Sequence, residues 1–477
     1  MRSDLQVSLF DLVACLSRAM DLVSPAVSNH HLRVAYIALS LGRELGLPPD
    51  EQRDLALAGS LHDSGALSLK ERLDALEFEL TSPQTHAETG YRLLMTFQPL
   101  AHVARIVRYH HVPWKGTSRS AFAEAAEAAG AAEAAEDAED AKDAEDDVPL
   151  ASHVLHLADR VAVLIREDGE ILGQARSISE LVRTRSGTMF APDLVNAFLS
   201  LATKEFFWFD VALLPLSETI SALTRAGIGT GTGTGIGTPA SAEFRLDLEG
   251  LLGLADLFRR IIDFRSSFTA THSAGVAATA ARLACLAGFS ETECRMMRAA
   301  GYLHDIGKLA VPAEILEKPG SLTEHEFNII KQHAFHSYRI IGSLPTLDVV
   351  NRWASLHHER LDGRGYPFHY SGRELSLGSR VMSVADVFTA LTEKRPYRRA
   401  MEAGKALDVV QELGCASALD PEIVSLLASH LDEVDADRRA AQAGASEDYQ
   451  ARAVKRPTSS MACASPVTAH YPATPGR

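Results

Sequence analysis

Apolar residues recur at helical spacing from Leu5 to about Trp114, with turn signals at Leu47–Asp50 (LPPD) and Thr81–Gln84 (TSPQ). The periodicity resumes at Val154, runs to about Arg225, then starts again at Phe244 and continues to about Val434. These runs predict an all-α protein. The stretch AEAAEAAGAAEAAEDAEDAKDAEDD between the first two has no apolar face to bury, so it predicts a solvated acidic insert. Between the second and third lies GIGTGTGTGIGTPA (Gly227 to Ala240), a flexible Gly/Thr-rich linker. Its glycines follow no strand and open no helix, which argues against a phosphate cradle. The segment after about Asp435, rich in Ala, Ser, Pro and Arg, predicts disorder.

The last helical run repeats the first. An offset of 242 maps His272 onto His30, Asp263 onto Asp21 and His304-Asp305 onto His62-Asp63, so LALAGSLHDSGAL answers MRAAGYLHDIGKL. Further on, HAFHSYRII from His333 matches HAETGYRLL from His86. The same interval of 24 residues leads from each to a histidine pair, His357-His358 and His110-His111. SRVMSVADVFTAL with Asp386 matches SHVLHLADRVAVL with Asp159, and LDPEIVSLLA matches FAPDLVNAFL. The chain is an internal duplication with the acidic insert inside its first copy.

Composition narrows the options. At 477 residues the chain can build two or three cores, and a 6% aromatic content suits helices rich in Ala and Leu. The formal charge of -15 argues against a nucleic-acid scaffold. Most of it is local, since Ala121 to Asp147 holds eleven acidic residues against Lys142 alone. The five scattered cysteines (Cys15, Cys285, Cys294, Cys415, Cys463) contain no CxxC pair and read as reduced thiols of a cytoplasmic protein. The amphipathic N-terminus lacks a signal-peptide core, and no apolar run is long enough to predict a membrane span.

Chemistry concentrates at GYLHDIGK (Gly301 to Lys308), where His304 and Asp305 end a predicted helix over 293–303 and Gly307 stops it. Neighbours on a helix diverge by about 100°, so two can serve one site only where something compact, such as a metal, sits near the helix end. The donors shared by both copies are, in the second, His272, His304, Asp305, His333, His357, His358 and Asp386. Packing alone does not explain seven nitrogen and oxygen donors at matched spacings in otherwise divergent copies. Imidazole and carboxylate without thiolate suit iron, manganese or zinc, and the donor number suits two ions. We expect Asp305 to bridge them, with His272, His304 and Asp386 on one and His333, His357 and His358 on the other. Such a pair can hold a bridging hydroxide and clamp phosphate oxygens, so the predicted reaction is phosphoester hydrolysis.

HDIGK (His304 to Lys308), HHERLDGRGYP (His357 to Pro367) and RPYR (Arg395 to Arg398) resemble the HD-GYP subfamily of the HD metal-dependent phosphohydrolases, and the similarity covers nearly all of 244–434. The resemblance implies tandem HD-type helical bundles: a degenerate HD domain over 1–226 with its insert at 119–149, a linker over 227–242, an HD-GYP catalytic domain over 243–435 and a disordered tail over 436–477. It implies a cyclic di-GMP phosphodiesterase using two iron or manganese ions and yielding pGpG or GMP. Lys308 would hold one substrate phosphate, Arg395 and Arg398 would contact the other phosphate or a guanine, and Arg364, Gly365, Tyr366 and Pro367 would shape the pocket. The GYP loop would also meet GGDEF diguanylate cyclases. Hydrolysis of another nucleotide, such as a cyclic GMP-AMP dinucleotide or a guanosine polyphosphate, is the alternative within enzymes, and a non-catalytic adaptor the alternative outside them.

Some members of the family use a glutamate one turn before the first histidine to hold a third metal; Phe268 stands there, predicting a binuclear site. Glu359 is a candidate to orient a ligand histidine, and His336 is an extra donor near His333. The first copy keeps His30, His62, Asp63, His86, His110, His111 and Asp159, but Ala66 replaces Lys308 and HHVPWKG replaces the GYP loop. It is expected to fold as an HD domain able to bind metal, not to hydrolyse cyclic di-GMP, and to have either a regulatory or dimerising role or a different phosphoester substrate.

Overall fold

The computed structural model describes residues 5–22, 24, 28–66, 69–78, 84–114, 148–166, 169–213, 216–226, 244–264, 271–318, 320–394 and 399–452. The first copy comprises β1 (Val7–Ser8), α1 (Leu9–Asp21), α2 (His30–Glu44), α3 (Pro49–Leu61), α4 (Leu69–Asp74), α5 (Gln84–Leu94), α6 (Ala101–Arg108) and α7 (Leu150–Leu164). Four more helices complete that half: α8 (Ile171–Thr184), α9 (Pro192–Ala202), α10 (Glu205–Leu213) and α11 (Leu216–Ala226). The second copy runs through β2 (Arg245–Leu246), α12 (Leu248–Asp263), α13 (His272–Leu286), α14 (Glu291–Leu303), a 3-10 turn (Ile306–Ala310), α15 (Ala313–Leu316), α16 (Glu324–Ile341) and α17 (Asp348–Ser355). It ends with α18 (Leu377–Thr392), α19 (Ala403–Cys415), α20 (Pro421–Ser429) and α21 (Leu431–Arg452). No helix among the described residues is long and apolar enough to cross a membrane.

Local chemistry sets the helix starts that matter. Ser290 and Glu293 form a capping box at α14, and Thr323 and Glu326 form another at α16, satisfying N–H groups that a helix start leaves unpaired. Glycine then lets the bundle close around the site. A Cβ on Gly301 would lie 2.4 Å from Ala277 Cα, and one on Gly59 2.5 Å from Ala35 Cα, so α13/α14 and α2/α3 touch backbone to backbone. Gly307 and Gly65 likewise carry the turn after each His-Asp pair across the next helix, where a Cβ would sit 2.0 Å from the carbonyl of His333 or of His86.

The two copies are packed together reciprocally. β1 and β2 pair antiparallel, Val7 opposite Leu246 and Ser8 opposite Arg245, which sets α1 and α12 side by side at their starts. From there α1 packs on the 3-10 turn and on α16 of the second copy, while its counterpart α12 packs on α5 of the first. Arg18 on α1 donates to Ser343 Oγ at 2.7 Å beyond α16. Buried apolar residues of both halves form one continuous core.

Two expectations are corrected. Residues 436–452, expected in the disordered tail, belong to α21, which packs on α13, because Val434 and Ala445 are buried there. Cys285 on α13 and Cys294 on α14 are not separate reduced thiols; their Cα atoms are 5.8 Å apart and they are paired as a disulfide. The acidic insert from 119 to 147 and the linker over 227–242 lie outside the described residues, as do Phe268, Arg395 and Arg398.

Candidate metal centre

Five helical elements deliver the second-copy donors to one point. His272 opens α13, His304-Asp305 follow the end of α14, His333 lies within α16, His357-His358 follow α17, and Asp386 lies within α18. Three rings are held by a carbonyl three residues back: Nδ1 of His304 on Gly301 at 2.7 Å, of His333 on Ile330 at 2.6 Å and of His357 on Ala354 at 2.6 Å. A carbonyl can only accept, so Nδ1 carries the proton and Nε2 presents a lone pair inward. The lone pairs of His304 and His333 face Asp305, at 3.1 Å and 3.4 Å, and His272, whose Nδ1 meets Glu393, sets its Nε2 3.3 Å from Asp386.

Acceptors facing acceptors in a buried site call for a cation. His304 Nε2 and Asp305 Oδ1 are buried without a hydrogen-bond partner, which fits metal ligands and would be costly otherwise. The ligand atoms of His272, His304 and Asp386 form one compact group, and those of His333, His357 and His358 form another. Asp305 stands between, within reach of His272, His304 and His333. Burial pushes His333 down to about 3 and His358 down to about 4, so both are neutral imidazoles near pH 7. Burial would raise Asp305 and Asp386, yet both carboxyls lie well below the usual range, Asp305 with the Lys308 ammonium beside it.

Lys308 Nζ donates to Asp305 Oδ2 at 2.5 Å. Beyond it, Asp362 to Pro367 wrap the mouth of the site. Glu359 does not orient a ligand histidine: its buried carboxylate accepts from the N–H of Phe368 at 2.7 Å and of Tyr370 at 3.1 Å, and so pins this loop. Gly365 is required, since a Cβ there would meet Glu359 Cα at 2.4 Å. The loop lays the Tyr366 ring against His358, centroids 4.7 Å apart. Arg364, Gly365, Tyr366 and Pro367 line a cavity of about 610 Å³ that reaches His358. His336 belongs to neither donor group and lies beside Phe335.

Glu393 is the residue that motif reasoning missed. Buried, and 121 positions from His272, it accepts from His272 Nδ1 at 2.9 Å and is itself held by Gln442 on α21. A carboxylate behind a ligand imidazole fixes its tautomer and raises its basicity. Glu393→Gln is therefore expected to weaken metal binding about tenfold, within the roughly 10–100-fold typical of such partners. Metal content at equilibrium with a chelator buffer measures it.

The first copy gathers its seven donors too, as His30, His62 and Asp159 beside Asp63, His86, His110 and His111. Its surroundings differ. Arg160, fully buried, donates to Asp159 Oδ2 at 2.6 Å and to the carbonyls of Ala75 and Glu77, whereas Val387 follows Asp386 in the second copy. Arg72 folds back over the buried Ala66, donating to its carbonyl at 2.9 Å. The His111 side chain is 4% exposed, against 28% for His358, so the first site is closed where the second is open.

The HD domain family model matches residues 14–124 and 256–423. Over 428 residues the chain is 30% identical to 3'3'-cGAMP-specific phosphodiesterase 1 of Vibrio cholerae, spanning 88% of this chain and 91% of that one. It is 40% identical to the cyclic di-GMP phosphodiesterase response regulator RpfG of Xanthomonas campestris over 150 residues, 31% of this chain and 40% of that one. The crystal structure of the cyclic GMP-AMP-specific phosphodiesterase V-cGAP3 of V. cholerae aligns with a TM-score of 0.58 and 25% identity, covering 90% of this chain and 98% of that one.

Proposed function

Because this chain belongs to the HD-GYP branch of the HD-domain metal-dependent phosphodiesterases, we propose that its second copy hydrolyses a cyclic dinucleotide, with 3'3'-cyclic GMP-AMP preferred, and that its first copy is not catalytic. The observation that carries the substrate is the extent of the match. The cGAMP-specific relative is similar through both copies, whereas the cyclic di-GMP relative is similar over less than a third of the chain. That reverses the order expected from the motifs, which put cyclic di-GMP first. The higher identity of the shorter match keeps cyclic di-GMP as the second reading.

In this reading His272, His304 and Asp386 hold one divalent ion, His333, His357 and His358 hold another, and Asp305 serves both. The ions, iron or manganese as the HD-GYP resemblance implies, would supply Lewis acidity and an activated water when bound. The chain's own residues do the rest. Lys308, with its side chain 15% exposed beside Asp305, donates to a non-bridging phosphate oxygen as charge grows there. Tyr366 closes over His358 and restricts water at the mouth. Opening one phosphodiester yields a linear dinucleotide. In the first copy, Ala66 in place of Lys308, Arg160 on Asp159 and the buried donors support a closed, metal-capable unit that holds α1 against the Lys308 turn.

The test is hydrolysis by the full chain, purified anaerobically and loaded with Fe(II) or Mn(II), of 3'3'-cGAMP and of cyclic di-GMP in parallel. We expect kcat/KM to favour cGAMP by about tenfold or more, the scale of about 1–3 kcal/mol that one bidentate contact supplies against a mismatched base edge. Equal or reversed values transfer the assignment to cyclic di-GMP, and turnover of neither overturns it.

A further inference from the structure

The cavity beside His358 has a second wall that no family motif contains. Phe327, Lys331 and Phe335 occupy successive turns of α16 and form one stripe, with Gln332 next to it, facing Arg364 and Tyr366 of the loop. Phe327 and Phe335 are 43% and 44% exposed, large rings left uncovered at the mouth of a buried polar site. Lys331 Nζ lies 4.7 Å from the Phe327 ring and 5.9 Å from that of Tyr366, over the same space. At about 610 Å³ the cavity falls in the roughly 300–1,000 Å³ range of small-molecule sites. Arg360 is committed to Asp362 at 2.8 Å, so the cations it offers a ligand are Lys331 and Arg364.

The duplication supplies an internal comparison. Where the second copy has Lys331, Gln332 and Phe335, the first has Gln84, Thr85 and Glu88, and Glu88 is paired with Arg92 and Arg108 at 2.9 Å each. The metal donors are common to both copies, and the aromatic and cationic stripe is not. It therefore serves something that only the open site handles.

We infer that this face of α16 is a nucleoside-reading wall: the two bases of the dinucleotide stack one on Phe335 and one on Phe327, the Gln332 amide takes the N6 and N7 edge of the adenine on Phe335, and Lys331 faces the adjoining phosphate. Aromatic stacking is tolerant of base identity and supplies affinity, whereas a Gln amide matches the donor and acceptor of adenine bidentately and supplies the choice. The inference rests on the proposed cyclic dinucleotide activity and extends it by naming what selects the base.

The experiment uses full-length, metal-loaded wild type, Gln332→Ala, Phe335→Ala and Phe327→Ala on three substrates: 3'3'-cGAMP, cyclic di-GMP and bis(p-nitrophenyl) phosphate, a diester with no base. Expected is a rise of about tenfold in KM for cGAMP in both Phe variants, from lost stacking. Gln332→Ala should cut the cGAMP preference about tenfold or more. All variants should keep wild-type turnover of the baseless diester. Phe327, nearly two turns before His333, gives the same readout free of any disturbance to that ligand. Wild type active on bis(p-nitrophenyl) phosphate but on neither dinucleotide overturns the substrate class itself. Wild type active on cGAMP, with KM and preference within twofold in Phe327→Ala and Gln332→Ala, overturns the wall alone.

Discussion

Asp305→Asn is expected to reduce phosphodiester turnover on the order of 10³-fold and to lower bound metal. Asp305 is the carboxylate within 3.8 Å of His272, 3.1 Å of His304 and 3.4 Å of His333, so it touches donors of both groups. The amide keeps the shape but removes the negative charge that joins them. A divalent ion is worth several kcal/mol of transition-state stabilisation, and each ~1.4 kcal/mol is a factor of ten. Asp63→Asn is the internal control, because Asp63 occupies the same place in the first copy. Turnover within about twofold of wild type is expected there, with metal content as the independent readout. Loss of activity in Asp63→Asn and retention in Asp305→Asn would reverse the roles of the copies.

Lys308→Met is expected to lower kcat/KM about 10²-fold while leaving metal content unchanged, the scale of removing one positioned donor to a developing anion. The lysine contacts Asp305 at 2.5 Å and holds its carboxyl down, but it supplies no lone pair to a metal. Its loss therefore separates phosphate recognition from metal binding, which Asp305→Asn does not. Activity and metal content falling together would instead make Lys308 part of the metal site's scaffold.

The two predictions also mark where local sequence was informative. The donor set was legible because the chain carries it twice, at matched intervals, so divergence elsewhere threw the shared histidines and aspartates into relief. Lys308 against Ala66 was legible for the same reason. Glu393 was not, since a glutamate far along the chain from His272 has no periodicity or spacing to mark it; only the fold brings the two within 2.9 Å. Nor was its support, Gln442, because the Ala-rich segment that holds it has the composition of a disordered tail and becomes helical by packing on α13. Glu359 was singled out for a histidine and instead holds the loop, because Phe368 and Tyr370 present N–H groups that its buried carboxylate must meet.

By itself the sequence determined the helical class, the duplication, the donor residues and the loss of Lys308 and the GYP loop in one copy. These follow from periodicity and residue chemistry, which are local. Tertiary structure alone decided that the donors converge with their lone pairs inward, that one site is open and the other buried with Arg160 on its aspartate, and that α1 and α12 each pack on the other copy as well as on their own. Those depend on which distant surfaces bury each other. Burial also decides whether a carboxylate meets a guanidinium, a backbone N–H or a facing imidazole.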